Sequence, residues 1–397
     1  MAPFSYQGVI PASKSLVNRA LIVQSYFPNL KLEIDSQSED VLHLQAALAK
    51  ISGRTERYTN ADLFCGDGGT TLRFLALRVS RIPGDYVLTG TDRLFARPQG
   101  ELISLLKQLG VQAQLLSNSV RIQSKGWSQL GKDVVVSQSE SSQFLSALFL
   151  NAWGLSRDFK VKVVGTRRSD DYLKMTIGLL QKMGMQIEQS ADHFLILANQ
   201  KSLFSEFALE PDLSSSFSVA AAAALCGQAH FLNFPFASLQ PDLSFLKIFE
   251  SLQIPLVRRP DSLFVNRALA MKGIEVNVGS CPDLFPVLAV LCSFATGTSL
   301  LFGAPQLKNK ESDRIEKSFE LLTKIGIKAE KLDDGIRIFG NPNLQPQGIT
   351  NFDPDHDHRM AMAAGILKLK GFKIEIKNPQ VVNKSFPNFW NTIGVQP

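Results

Sequence analysis

The stretch "SFELLTKIGIKAEKLDDGIRIF", residues 318–339, has two close relatives in the same chain: "LISLLKQLGVQAQLLSNSVRIQ", residues 102–123, and "TIGLLQKMGMQIEQSADHFLIL", residues 176–197. In each, apolar residues recur at helical spacing up to a glycine (Gly326, Gly110 or Gly184) and then alternate with polar ones on both sides of a polar turn. A glycine there suits the left-handed residue that ends a helix, and the alternation predicts two strands joined by a turn. Weaker copies lie at "LQAALAKISGRTERY", "FLKIFESLQIPLVRRPDSLFV" and "NFWNTIGVQP", with Ser52 and Gln253 in the glycine's place in the first two. Six copies of one α/β unit in 397 residues predict two domains of three units each.

Between the copies run six far more apolar segments: "SKSLVNRALIVQSYF", "GGTTLRFLALRVS", "SSQFLSALFLNAW", "SSSFSVAAAAALCG", "PDLFPVLAVLCSFATG" and "HRMAMAAGILKLKG". A helix that is apolar on nearly all sides is a buried helix. All begin with or just after small or polar residues, which cap the first amides or leave them free for an anion. The predicted class is therefore α/β, with buried helices inside and the repeated units around them.

The longest apolar runs, "VAAAAALCG" and "LFPVLAVLCSFA", fall short of the roughly 20 residues that cross a bilayer. The start "MAPFSYQGVIPASK" lacks a basic flank followed by an apolar core, so no signal peptide is expected. Cys65, Cys226, Cys281 and Cys292 form no CxxC pair, which points to reduced thiols and a cytoplasmic protein. The net charge of +6 comes with no run of five Lys/Arg, so neither nucleic acid nor a membrane surface is the expected partner. Single cations at motif ends suit a small polyanion.

Several stretches carry such groups. Lys14, Ser15 and Arg19 open the first apolar helix, and Arg19 lies four residues from Ser15, on the same face. "CGDGGTTLRFLAL" is a glycine-rich turn whose Gly68 and Gly69 let amides approach an anion, with Asp67 as an awkward neighbour. Arg97 precedes a proline and is expected to be extended. Ser141, Ser142 and Gln143 supply more donors than one cap needs. Asp283 opens an apolar helix, where capping is the plain alternative. Lys310, Glu311 and Arg314 cluster at the start of the 318–339 unit, with Lys310 and Arg314 expected on one helical face and Glu311 placed to move a proton. Asp353, Asp355, His356, Asp357 and His358 are all metal-ligand types. The adjoining Arg359 repels a cation, and the helix start favours an anion instead.

Taken in order, "PASKSLVNRAL", "GDGGTTLR", "TGTDRLFARPQG", "SSQFLSAL", "PDLSSSFSVAAAA", "CPDLFPVLAV", "KNKESDRI", "DHDHRMAM" and "NKSFPNFW" resemble the 5-enolpyruvylshikimate-3-phosphate synthase family of enolpyruvyl transferases, over nearly the whole chain. The resemblance implies a two-domain inside-out α/β barrel, each domain made of three βαβαββ units around buried helices. Its first domain would be discontinuous (1–11 and 212–397), the second would be 12–211, and the active site would lie in the interdomain cleft. It also implies transfer of the enolpyruvyl group of phosphoenolpyruvate to the 5-hydroxyl of shikimate 3-phosphate by a monomer, with no cofactor and no metal. Phosphoenolpyruvate would contact Lys14, Asp67, Gly69, Arg97, Gln143, Arg314, Arg359 and Lys384. Shikimate 3-phosphate would contact Lys14, Ser15, Arg19, Ser141, Ser142, Gln143, Ser169, Tyr172, Asp283, Gln306 and Lys310. Asp283 and Lys14 would handle the proton of the attacking hydroxyl, and Glu311 would protonate the methylene carbon.

The chain departs from the family pattern at Asp67 and Gln306, where asparagine is usual, at Ala12, where glycine is usual, and in "RRSDDYLKM", which lacks the usual proline. Two other readings compete. One is the sister enzyme acting on UDP-N-acetylglucosamine, whose mobile loop carries a cysteine that "TDRLFARPQG" lacks. The other is a weakened paralogue that binds a phosphorylated ligand without turning it over; Asp67 favours it, while Lys14, Asp283, Glu311, Arg359 and Lys384 oppose it.

Overall fold

The computed structural model describes residues 3–53, 59–129, 131–166 and 170–397. The chain forms two compact units, one of Met1–Pro11 with Glu210–Pro397 and the other of Ala12–Leu209.

One four-stranded sheet recurs in both units, with a parallel first pair followed by two antiparallel neighbours. In the discontinuous unit its copies are Phe4–Gly8, Gly227–Leu232, Ser262–Asn266 and Leu256–Arg259, and then Glu275–Asn277, Gly297–Phe302, Gly335–Gly340 and Lys328–Leu332. In the continuous unit they are Thr59–Phe64, Gly84–Thr89, Ser119–Ser124 and Gln112–Leu115, and then Val134–Ser137, Phe159–Val164, His193–Ile196 and Ile187–Gln189. Parallel neighbours need a crossover, and an apolar helix supplies each one: Gly69–Val79, Gln143–Leu150, Leu213–Cys226 and Phe285–Ser293. The strand pair that follows the second helix is the hairpin expected from "SFELLTKIGIKAEKLDDGIRIF" and its relatives.

The helix-ending residues follow the expected chemistry with one shift. Gly110, Gly184, Gly326 and Gly394 have φ of 79°, 99°, 90° and 67°, and Gln253 takes φ 62° without being glycine. Ser52 does not; it is extended, and Gly53 adopts φ 70° one residue later. The third unit of each half is shorter than expected. Lys31–Glu33 pairs with Glu206–Ala208, and Ile349–Phe352 pairs with Lys373–Ile376, as two-stranded parallel sheets. Among the described residues no strand pair follows Glu39–Ile51 or Phe389–Ile393, since the next strand, Thr59–Phe64, already leads another sheet.

Burial sorts the layers within each unit. The strands alternate, as in Gly84–Thr89 and Ser119–Ser124, so one face of each sheet is covered and the other meets water. The apolar helices are buried on all sides, and Leu213–Cys226 exposes little beyond its last residue. Leu213–Cys226, Phe285–Ser293 and His358–Leu369 pack on one another in one unit, as Lys14–Gln24, Gly69–Val79 and Gln143–Leu150 do in the other. Helices inside and sheets outside follow from this pattern. Among the described residues no helix is long and apolar enough to cross a membrane.

Gly365 sits in the His358–Leu369 helix against two aromatic rings. A Cβ there would come within 2.7 Å of Trp390 and 2.9 Å of Phe389. Alanine gains about 1 kcal/mol of helix propensity, but overpacking costs about 1–3 kcal/mol. Gly365→Ala is therefore expected to lower Tm in thermal unfolding; a raised Tm would mean that the Trp390 ring yields.

Candidate active site

In the discontinuous unit, the Arg314–Lys324 helix delivers Arg314, 1% exposed, into a ring of carboxylates. Arg314 Nε lies 2.8 Å from Asp357 Oδ2, Nη1 lies 2.8 Å from Asp283 Oδ1, and Nη2 lies 3.2 Å from Glu311 Oε2. Asp357 is fully buried and also accepts from the Ser312 hydroxyl at 3.1 Å and the Arg359 amide at 2.9 Å. It therefore caps the His358–Leu369 helix while it holds Arg314. Lys384 Nζ, from the short turn Pro379–Lys384, reaches Glu311 Oε1 at 3.0 Å. Lys310 Nζ lies 4.0 Å from Asp283 Oδ1, and Arg359 Nη2 lies 3.8 Å from Asp283 Oδ2.

Arg359 is 2% exposed and donates to the Ser214 hydroxyl. Its Nε and Nη1 are buried without a hydrogen-bond partner among the described residues. A buried donor left unmet costs about 1–3 kcal/mol, more when charged. Those two atoms are made for an anion. Burial pushes Asp283 up, but Arg314, Lys310 and Arg359 together hold it well below the usual carboxylate range, despite the opposing Glu311. Arg314, beside Asp357, Asp283 and Glu311, is held above its ordinary value although burial opposes it.

In the continuous unit, Lys14 opens its helix with Nζ 3.0 Å from Asp40 Oδ2. Asp40 also lies against the glycine turn, where a Cβ on Gly68 would come within 3.0 Å of its Oδ1. A Cβ on Gly69 would come within 2.8 Å of Arg97 Nη1, so the guanidinium lies over the helix start and would have to shift for a larger residue there. Arg97 is extended, as its proline neighbour requires. Asp67 Oδ1 accepts from the Thr91 hydroxyl. Arg73, 3% exposed, donates to Gln143 Oε1 at 2.7 Å, Gln99 Oε1 at 3.2 Å and the Pro98 carbonyl at 2.8 Å. It thus fixes both Gln143 and the chain beside Arg97.

Arg19 is buried, with Nε 2.7 Å from Thr176 Oγ1 and Nη1 2.8 Å from the Ser15 carbonyl. Burial lowers its pKa to about 10, with Tyr172 acting the other way. Ser141 Oγ accepts from the Gln143 amide at 3.2 Å, and Ser142 precedes that helix without a side-chain cap bond. Ser169 lies outside the described residues.

Two expectations change. Lys310 and Arg314 share no helical face, because the helix begins at Arg314; they meet only through Asp283. Asp283 does not cap the helix after it, and its carboxylate goes to Arg314 instead. Gln306 stands apart from the ion cluster, donating to the Gly279 carbonyl at 3.1 Å. Of the two uses expected for the residues that lead the inner helices, Asp212 and Asp357 take capping, at the helices that begin at 213 and 358. The Asp/His stretch disperses: Asp353 pairs with Lys377 at 2.7 Å, while Asp357 turns inward. Among the described residues no three His, Cys, Asp or Glu side chains are grouped to hold a metal. Sequence reasoning missed Arg73, Asp40, Ser214 and Thr176 as partners. An arginine inside an otherwise apolar helix was the available signal for Arg73.

The profile of the family described as "EPSP synthase (3-phosphoshikimate 1-carboxyvinyltransferase)" matches residues 9–393. The 3-phosphoshikimate 1-carboxyvinyltransferase of Nostoc punctiforme is 31% identical over 405 residues, covering 96% of this chain and 94% of its own. That of Methanocaldococcus jannaschii is 32% identical over 330 residues, covering 82% and 76%. Among solved structures, EPSP synthase from Acinetobacter baumannii superposes with a TM-score of 0.76 at 21% identity, covering 99% of this chain and 95% of that one. The enolpyruvyl transferase NikO from Streptomyces tendae gives 0.72 at 14% identity, covering 99% and 94%. These two show a shared fold.

The depressed Asp283 makes a pH prediction. Its folded pKa lies below the unfolded value of about 3.9, so the stability it contributes is present above that value and is lost as pH falls towards the folded one. Urea unfolding of Asp283→Asn is expected to show its full stability loss at neutral pH and a smaller loss below about pH 4. A loss that grows on acidification would remove the ion pairs as its cause.

Proposed function

Because the chain belongs to the EPSP synthase family, we infer that it transfers the enolpyruvyl group of phosphoenolpyruvate to the 5-hydroxyl of shikimate 3-phosphate, releasing phosphate. The observation that carries the reading is Arg359, buried with two unmet donors and 3.8 Å from Asp283. A site for a small polyanion needs such fixed, desolvated cations.

On this reading Arg359, Arg314 and Lys384, with Lys14, Arg97, Gln143 and the Gly69 amide, are the phosphoenolpyruvate contacts. Asp67 stands beside them. Ser15, Arg19, Ser141, Ser142, Ser169, Tyr172, Gln306 and Lys310 serve shikimate 3-phosphate together with Lys14, Gln143 and Asp283. The hydroxyl adds to C2 of the enol while its proton passes to Asp283 or Lys14, and Glu311 protonates the methylene carbon. The tetrahedral adduct then loses phosphate while the Glu311 carboxylate takes a proton back from the new methyl group, and the double bond reforms. Glu311 must carry a proton to act, and the Lys384 ammonium at 3.0 Å is its adjacent proton-bearing group. Arg73 acts one step back, holding Gln143 and the chain next to Arg97. The protein works as a cytoplasmic monomer of two such units, with neither nucleic acid nor membrane as a partner.

The test is phosphate release from phosphoenolpyruvate with shikimate 3-phosphate as acceptor, and UDP-N-acetylglucosamine as control. Release with the first and not the second is expected; the reverse would reassign the acceptor, and release with neither would leave a binding protein. In the same assay Glu311→Gln is expected to lower kcat by about two orders of magnitude or more, the weight of a general acid, with shikimate 3-phosphate binding kept. Near-normal kcat would end the proton role of Glu311. Asp67→Asn is expected to lower the KM for phosphoenolpyruvate, since it removes a negative charge beside an anion. An unchanged KM would mean that Thr91 and the surrounding turn already offset that charge.

A further inference from the structure

We propose that the 12–209 unit carries a second ligand site, remote from Lys14 and Gly69, for a small carboxylate with an apolar body. The site is a cavity of about 820 Å³ at the far ends of the inner helices, within the roughly 300–1,000 Å³ typical of ligand pockets. Leu21, Ile51 and Ile82 supply apolar wall, and among the described residues no acidic one lines it.

Arg78 and Arg81 supply the charge. Arg78 is 4% exposed, donates from Nε to Ser25 Oγ at 2.6 Å and from Nη2 to the Ser25 carbonyl at 3.1 Å, and lies 4.2 Å over the Tyr26 ring. Arg81 donates from Nη1 to the Asn151 carbonyl at 2.5 Å and the Trp153 carbonyl at 3.1 Å, and lies 5.0 Å over the Trp127 ring. Every one of these partners is neutral, and neither arginine forms an ion pair among the described residues. Nη1 of Arg78 and Nε and Nη2 of Arg81 make no hydrogen bond there. Ser25 and Asn151 are the C-caps of Lys14–Gln24 and Gln143–Leu150. A helix end carries about half a negative charge, so these carbonyls orient two full cations and offset part of their charge. What remains faces a cavity without an acidic residue among the described ones.

The site is separate from the catalytic groups. Lys14 and Gln24 are the two ends of one 11-residue helix, about 15 Å apart at 1.5 Å per residue.

The test is calorimetric titration of the full chain with benzoate, with benzyl alcohol (the same ring uncharged) and with inorganic phosphate, each with and without saturating shikimate 3-phosphate. Benzoate is expected to bind at a single site whether or not shikimate 3-phosphate is present, with the other two weaker by about tenfold, the weight of one charge-assisted hydrogen bond. Arg81→Gln, at a half-buried position that folding tolerates better than Arg78, is expected to weaken benzoate by about tenfold. Ala49→Trp, which fills the cavity from an exposed position, is expected to abolish benzoate binding with kcat unchanged. Four results would each overturn the proposal: no benzoate binding, benzyl alcohol or phosphate binding as tightly as benzoate, displacement of benzoate by shikimate 3-phosphate, or unchanged affinity in Ala49→Trp.

Discussion

The buried guanidinium of Arg314 is the constraint on which the catalytic half of the discontinuous unit depends. A lone charge at 1% exposure is untenable, so the surrounding chain must bring carboxylates to it. They come from three places: Asp283 before the Phe285–Ser293 helix, Glu311 in the segment before Arg314's own helix, and Asp357 at the start of His358–Leu369. One side chain thus sets the register of two inner helices and one outer helix at their functional ends. Buried ion pairs are weak evidence for stability, and apolar replacements are often as good. What an apolar trio would lose here is position, because the same bonds that neutralise Arg314 hold Glu311 and Asp283 in place.

The fold was largely legible and the partners were not, for one physical reason. Helix caps, amphipathic faces and hairpins are local, so "SFELLTKIGIKAEKLDDGIRIF" announces a helix ended by Gly326 and a strand pair within a single window. Side-chain partners are distant in the chain. Arg73 meets Gln143 across 70 residues, Lys384 meets Glu311 across 73, and Arg359 meets Ser214 across 145. Pattern reading placed Arg314, Glu311 and Arg359 in motifs, yet it could not show that Asp357 neutralises Arg314. Where local rules failed, a neighbour had taken over, as when Gly53 supplied the left-handed turn expected at Ser52.

The residues that lead the six inner helices were expected either to cap the first amides or to leave them free for an anion, and the structure divides those two uses. Ser13, Gly68, Ser142 and Leu284 lead helices without a side-chain cap, whereas Asp212 and Asp357 cap theirs. An aspartate at an N-terminus offsets the partial charge that would draw an anion there. At His358–Leu369 the attraction has moved to Arg359, one residue into the helix, whose full charge exceeds the half-charge that Asp357 masks. Asp212 and Ser214 make the parallel arrangement on the neighbouring helix, with the Ser214 hydroxyl tying Arg359 down. At these two helices the ends position a cation, and the cation carries the charge that suits an anion.

That arrangement carries a standing cost which the ligand removes. Arg359 keeps two donors buried and unmet, a state that persists only because the packing around it leaves the side chain no alternative. An anion that satisfies those donors binds the folded chain alone and stabilises it by mass action. The same anion changes Asp283. Without ligand, Arg314, Lys310 and Arg359 hold its carboxyl well below the usual range, which makes it a poor proton acceptor. A phosphate and a carboxylate arriving among those cations spend the positive field on themselves, and a nearby negative charge raises a carboxyl's proton affinity. On the proposed reading, Asp283 would therefore become a better base only with the substrate in place. On that reading the same excess of cations that holds Asp283 ionised without ligand would let it accept a proton once an anion shares their field.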